Sequence, residues 1–271
     1  MRTAVALALL TALGAGTARA SVWDEHALTP DRLPLDPTRS VVVWVHGYDP
    51  VPADFDPLAE ELRRRGHQVL RFRYDWRQRM ERSADELVAA LEALRAEYRL
   101  PRLRVIAHSQ GGLVARRAMT VGRARTLADD GPTDLVTIAS QFPGYASANG
   151  TYLMPRVNWF GVQPAHRDLR SWSPFVRRPG RLGDDVRHFK VETLERGKTR
   201  LEGGRQVDDC SAPRQAQPRV DADPRVAQRV ALDRGHVGVL RDDAGRVPAE
   251  LLRLLDAWLP ARTAGLAARL R

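Results

Sequence analysis

The stretch Leu103-Arg-Val-Ile-Ala-His-Ser-Gln-Gly-Gly-Leu-Val-Ala-Arg-Arg-Ala-Met119 decides how this chain is read. Leu103 to Ala107 is a short apolar run of the kind that forms a buried strand, and Gly111 to Met119 continues as a helix. Between them, Ala107-His108-Ser109-Gln110-Gly111-Gly112 forces a tight strand-to-helix turn. Such a turn brings two backbones together, so it needs small residues around the serine and leaves the hydroxyl of Ser109 above the edge of the sheet. Ser109 is therefore the candidate nucleophile.

Units of the same kind lie on either side. Ser40 to Val45 (SVVVWV) is rich in β-branched residues, as a strand buried on both faces requires. A helix follows, capped at Asp54, with Phe55, Leu58 and Leu62 at helical spacing and a stop at Gly66. Gln68 to Tyr74 is the next strand, and a helix from Ser83 aligns Leu87, Leu91, Leu94 and Tyr98. After the serine, Leu135 to Ser140 is a fourth strand. Val186 to Leu194 is a fifth, with Thr199 to Val207 expected to pair with it across a turn at residues 195–198. Arg229 to Leu232 is a short final strand, and a helix from Pro248 to Leu259 presents Leu251, Leu252, Leu255 and Trp258. Strands alternating with helices of this length predict an α/β protein with a mostly parallel central sheet covered on both faces. Residues 143–185 interrupt the rhythm and carry Tyr145, Tyr152, Trp159, Phe160, Trp172 and Phe175. A stretch so long and aromatic is expected to form a cap or lid over a substrate site.

Two further segments complete a candidate site. His46-Gly47-Tyr48 follows the first strong strand. In a sheet of this kind the amide after the nucleophile and an amide of that loop form an oxyanion hole. The expected donors are the backbone N–H groups of Gln110 and Tyr48, with His46 bracing the loop. Where the nucleophile sits on a strand-to-helix elbow of this kind, the chain order of the triad is serine, acid, histidine. Of seven histidines, only His236 follows the last strand, in Asp233-Arg-Gly-His-Val-Gly-Val-Leu240. It is the candidate general base.

With these residues in view, the chain resembles the α/β-hydrolase serine lipases and esterases, and more narrowly those related to lecithin–cholesterol acyltransferase. Tyr74-Asp75-Trp76-Arg77 looks like the Y-D-W-R that follows the strand before the nucleophile in that group, and A-x-S-x-G occurs in some bacterial lipases. The resemblance covers residues 40–140 well and 186–259 loosely, and no motif matches the cap. It implies an acid in the position of G-D-G-T-V-P, where this chain has Asp208-Asp-Cys-Ser-Ala-Pro213. Asp209 is the first choice, with Asp208 and Asp223 as alternatives. The implied activity is cleavage of carboxylic esters, lipid acyl esters above all, through an acyl-enzyme. Acyl transfer, deacylation of a lipid anchor and a catalytically inactive binding protein remain as alternatives.

Composition bounds the rest. The chain has 271 residues, which fits one domain with an insertion, and 43% are hydrophobic. Met1 to Ala20 reads as a signal peptide cleaved after Ala20, so a secreted or periplasmic protein is expected. Cys210 is the only cysteine, so no internal disulfide forms. The formal net charge is +10, almost all of it from arginine. The arginines are scattered among acids with no aromatic-studded basic run, so nucleic acid is not the expected partner. The expected partner is a small-molecule ester or lipid, with transient contact to a membrane or lipid surface. Neither H-E-x-x-H nor paired cysteines occur, so no metal or other cofactor is expected.

Overall fold

The computed structural model describes residues 35–36, 39–48, 52–98, 100, 102–121, 132–144, 163–193, 200–202, 205–207 and 223–260. The expected signal peptide, residues 145–162 of the expected cap, Asp208, Asp209, Cys210 and the tail from residue 261 lie outside them.

Six strands form one sheet: β1 (Val41–Val45), β2 (Gln68–Phe72), β3 (Leu103–His108), β4 (Thr133–Ile138), β5 (Val186–Thr193) and β8 (Val226–Leu232). Their order is β2-β1-β3-β4-β5-β8, and every pairing is parallel. β1 shows why the runs of valine work. Val41, Val43 and Val45 point into one core and Val42 and Trp44 into the other, as side-chain alternation dictates. The first core is closed by α2 (Met80–Tyr98) and α3 (Gln110–Ala118), the second by α1 (Pro52–Arg64) and α6 (Ala249–Trp258). The expected architecture, helices on both faces of a parallel sheet, is the observed one.

Element boundaries depart from expectation for identifiable reasons. α2 starts at Met80 rather than Ser83, because the carboxylate of Asp168 accepts the Met80 backbone N–H at 2.8 Å. That cap comes from 88 residues away and leaves no local signature. α1 starts at Pro52, two residues before Asp54, using the fixed φ of proline in the first turn. β4 stops at Ile138 because Ala139 has φ 50°, which ends an extended strand. The described residues of the segment expected to pair with β5, 200–202 and 205–207, do not pair with it. β6 (Arg200–Glu202) and β7 (Arg205–Val207) pair with each other in a separate antiparallel ribbon. β5 has no free edge to offer, since β4 and β8 occupy both.

Within 163–185, α4 (Pro164–Asp168) and α5 (Pro174–Arg177) are short. Ala165, Leu169, Phe175 and Leu182 are buried in the first core, so this half of the irregular stretch packs onto the sheet's helical layer. No helix among the described residues is long and apolar enough to cross a membrane.

Candidate active site

The strand order places the site. After β1 the chain steps outward to β2, then crosses back over β1 to β3. Between β1 and β3 the winding reverses direction, and the loops leaving their carboxyl ends separate to open a crevice. His46, Gly47 and Tyr48 leave β1 there, and Ser109 leaves β3.

Ser109 has φ 54° and ψ −127° and is 5% exposed. A non-glycine residue held at positive φ costs about 1 to 3 kcal/mol, which the surroundings must offset. Here the Ser109 N–H donates to the carbonyl of Ile138 at 2.9 Å, and the Ser109 carbonyl accepts from Gly112 at 3.0 Å. The two glycines are required by contact. A Cβ on Gly111 would lie 2.2 Å from the backbone oxygen of His46, and one on Gly112 would lie 1.9 Å from Oγ of Ser140. The start of α3 is thus pressed against the ends of β1 and β4. On the facing loop, a Cβ on Gly47 would lie 2.9 Å from Cβ of Ser109.

Nε2 of His236 lies 2.9 Å from Oγ of Ser109. The two residues are 127 positions apart, and the fold brings them to hydrogen-bonding distance. The loop carrying His236 follows β8 and is anchored by Val239 and Leu240 in the second core. Its turn is closed by Val239 N–H to Gly235 carbonyl at 3.1 Å and Leu240 N–H to Val237 carbonyl at 2.8 Å. His236 retains some exposed surface. Burial of its ring pushes the pKa down to about 3, and neighbouring His108 adds to the effect. The imidazole is neutral at physiological pH, the state a proton acceptor needs.

Both ring nitrogens of His46 are engaged by the backbone. Its Nδ1 lies 2.8 Å from the Gly47 carbonyl, which only accepts, so Nδ1 carries the proton. Its Nε2 then accepts the Tyr74 N–H at 3.5 Å, while the Tyr74 hydroxyl donates to the His46 carbonyl at 2.9 Å. The rings of His46 and Tyr74 stack at 4.3 Å. Burial lowers the His46 pKa, which keeps that neutral tautomer. The geometry is that of a brace on the loop between β1 and Tyr48.

Gln110 is the first residue of α3, where backbone N–H groups have no partner within the helix. Its side chain is buried and donates to the Trp76 carbonyl at 2.9 Å. Tyr48 has an exposed ring against Trp76 at 4.1 Å and His166 at 5.0 Å. Three residues to which the sequence assigned no role of their own therefore belong to the site's surroundings. Trp76 and His166 form one wall with Tyr48, and His108 donates from Nε2 to the His236 carbonyl at 2.9 Å.

The acid is the unfilled position. Asp208 and Asp209 lie outside the described residues. Asp223 is not placed to serve. It is buried, accepts from Arg116 at 2.8 Å, Leu182 N–H at 3.1 Å and Arg225 N–H at 3.0 Å. It also precedes β8, whereas His236 follows that strand, roughly 20 Å away at the rise of an extended chain. Among the described residues no cluster of histidine, cysteine and carboxylate could hold a metal ion.

Solved structures share this arrangement of strands and helices. A lipase of Bacillus licheniformis in its propeptide form aligns with TM-score 0.56 at 16% identity, covering 84% of this chain and 52% of that one. An esterase of Pyrococcus furiosus aligns with TM-score 0.53 at 16% identity, covering 82% and 83%. A carboxylesterase of Nitrososphaera gargenis aligns with TM-score 0.51 at 12% identity, covering 83% and 91%. The fold is that of the α/β-hydrolases. At these identities the likeness shows the fold alone, and the chain spans about half the length of the Bacillus lipase. No protein-family model matches the sequence, and no curated protein matches it either.

Proposed function

We propose that this α/β-hydrolase-fold protein is a serine hydrolase of carboxylic esters, acting on lipid acyl esters outside the cytoplasm. The observation that carries the reading is the 2.9 Å approach of Nε2 of His236 to Oγ of Ser109 on a positive-φ turn. In the proposed reaction Ser109 attacks the ester carbonyl as His236 takes its proton. The amides of Tyr48 and Gln110 receive the oxyanion. Each such donor, aimed at charge that develops only in the transition state, lowers the barrier by about 3 kcal/mol. His236 then protonates the leaving alcohol, and water cleaves the acyl-enzyme.

Asp209 is the proposed acid. β5 and β8 are parallel neighbours that end side by side, Thr193 opposite Leu232. Asp209 lies in the connection between those two strands, and His236 follows the second. The basis for export is the sequence of residues 1–20, and for lipid esters the Y-D-W-R resemblance.

The test is turnover of p-nitrophenyl esters from acetyl to palmitoyl by the wild type, Ser109→Ala and His236→Ala proteins. Both substitutions should abolish turnover, and a fluorophosphonate probe should label the wild type but not Ser109→Ala. No turnover on any chain length, together with no labelling, would discard the hydrolase reading.

A further inference from the structure

The sequence scatters its arginines among acids, but folding sorts them. Residues 73–79 and 163–181 carry eight arginines against two carboxylates, Asp75 and Asp168. Elsewhere among the described residues basic and acidic side chains are equal in number. The two segments are joined. Ala165 N–H donates to the Arg77 carbonyl at 3.1 Å, and Asp168 pairs with Arg79 at 2.9 Å while capping α2. One of the two carboxylates is therefore buried and already neutralised by Arg79. At the end of the strip Arg181 pairs with Asp184 at 2.7 Å, and the net positive charge rests on the remaining arginines.

Aromatic rings are set into this strip. Arg77 lies over the ring of Trp76 at 4.2 Å and Arg170 over that of Trp172 at 6.0 Å. Tyr48 and Trp172, 41% and 44% exposed, are the exposed large aromatics of the described residues. Tyr48 bridges the strip to the nucleophile's crevice through Trp76 and His166. The positive field reaches that bridge: burial lowers the pKa of His166, and Arg170 lowers it further.

We infer that this arginine–aromatic strip is a docking surface for anionic phospholipid bilayers, which seats the Ser109 crevice against the lipid. Arginines hold the phosphate headgroups by charge and paired N–H groups. Tryptophan and tyrosine favour the headgroup boundary, where an apolar ring and a polar tip are both accommodated. A nucleic acid would use the same charge, and the oligonucleotide arm of the test below separates it from the lipid surface.

The test uses the full chain carrying Ser109→Ala, so that binding is measured without turnover and stands or falls apart from the hydrolase reading. Co-sedimentation is compared for vesicles of phosphatidylcholine alone and of phosphatidylcholine with an equal part of phosphatidylglycerol. Binding should require the anionic lipid and weaken as salt rises. A triple variant, Arg77→Gln, Arg167→Gln and Arg177→Gln, removes exposed charge from the strip. An arginine near an anionic surface strengthens partition about fivefold, so this variant should bind about a hundredfold more weakly. A control of equal net charge, Arg64→Gln, Arg246→Gln and Arg253→Gln, alters the side covered by α1 and α6 and should bind like the parent. Equal losses in the two variants would reduce the effect to net charge and overturn the proposal. So would tighter binding to a single-stranded oligonucleotide than to the anionic vesicles, or no difference between the two vesicle types.

Discussion

His108 stands one residue before Ser109 and holds the main chain of His236. A carbonyl only accepts, so Nε2 of His108 carries the proton in its 2.9 Å bond to the His236 carbonyl. His108→Leu removes that donor and leaves the histidine loop free to drift from Oγ of Ser109. Loss of such a bond is worth about 1 to 3 kcal/mol, so kcat should fall roughly ten- to a hundredfold with KM little changed. His108→Gln, whose amide nitrogen reaches a similar point, should restore most of it; equal damage in both variants would show that His108 serves packing alone. The acid can be tested through His236 itself. A general base works unprotonated, so turnover is lost as pH falls through its pKa. Burial, with His108 beside it, sets that pKa at about 3, and a carboxylate beside the imidazolium raises it. With Asp209 in that role, the acidic limb of kcat/KM lies well above pH 3 in the wild type. Asp209→Asn should shift the limb down and cut kcat by as much as about 10⁴-fold. An unmoved limb would assign the role to another carboxylate after β5.

The turn from β3 into α3 is the most tightly specified element. Gly111→Ala would set a Cβ 2.2 Å from the His46 oxygen and 2.6 Å from that of Val45. Both are backbone atoms at the end of a central strand paired on both sides, so the turn must yield instead. Ester turnover should fall more than tenfold while circular dichroism still reports a folded sheet. A variant with wild-type turnover would mean that the turn has slack the contacts deny. The same element explains what was legible in the sequence. Small residues around Ser109 are dictated by local backbone contact, so Ala107, Gly111 and Gly112 mark the turn by their spacing alone. Valine runs in β1 and leucine spacing in α2 are equally local, which is why the parallel sheet and both helical layers are readable. What failed to read was long-range. The true start of α2 depends on Asp168, the self-pairing of β6 and β7 on whether β5 has an open edge, and the basic strip on two segments meeting. Asp223 misled because a short motif carries no sign of which end of a strand it occupies.

Acid tolerance belongs to the whole molecule, because several histidines are held neutral by the packing of different elements. Burial lowers the pKa of His46, His67, His188 and His236. His67 is the clearest case: it is 3% exposed, bonded through Nδ1 to the Ser40 hydroxyl, and pushed down to about 4. Burial is the main cause, and the charges of Arg104, Arg65 and Arg39 add to it. Above pH 6.5 this ring is neutral whether the chain is folded or not, and it has no effect on stability. Between pH 6.5 and 4 the unfolded chain binds a proton that the folded one refuses, so stability falls as pH drops. Across that window the loss amounts to about 3 kcal/mol for His67 alone. His67→Gln keeps a polar side chain beside Ser40 and removes the titration. Melting temperatures of the wild type should therefore drop more steeply from pH 7 to pH 4.5 than those of His67→Gln, with the two curves converging in slope above pH 6.5. Parallel curves throughout would mean that His67 stays protonated or reaches water in the folded protein, and would shift the acid sensitivity to His188 on β5, buried against Thr137 of β4.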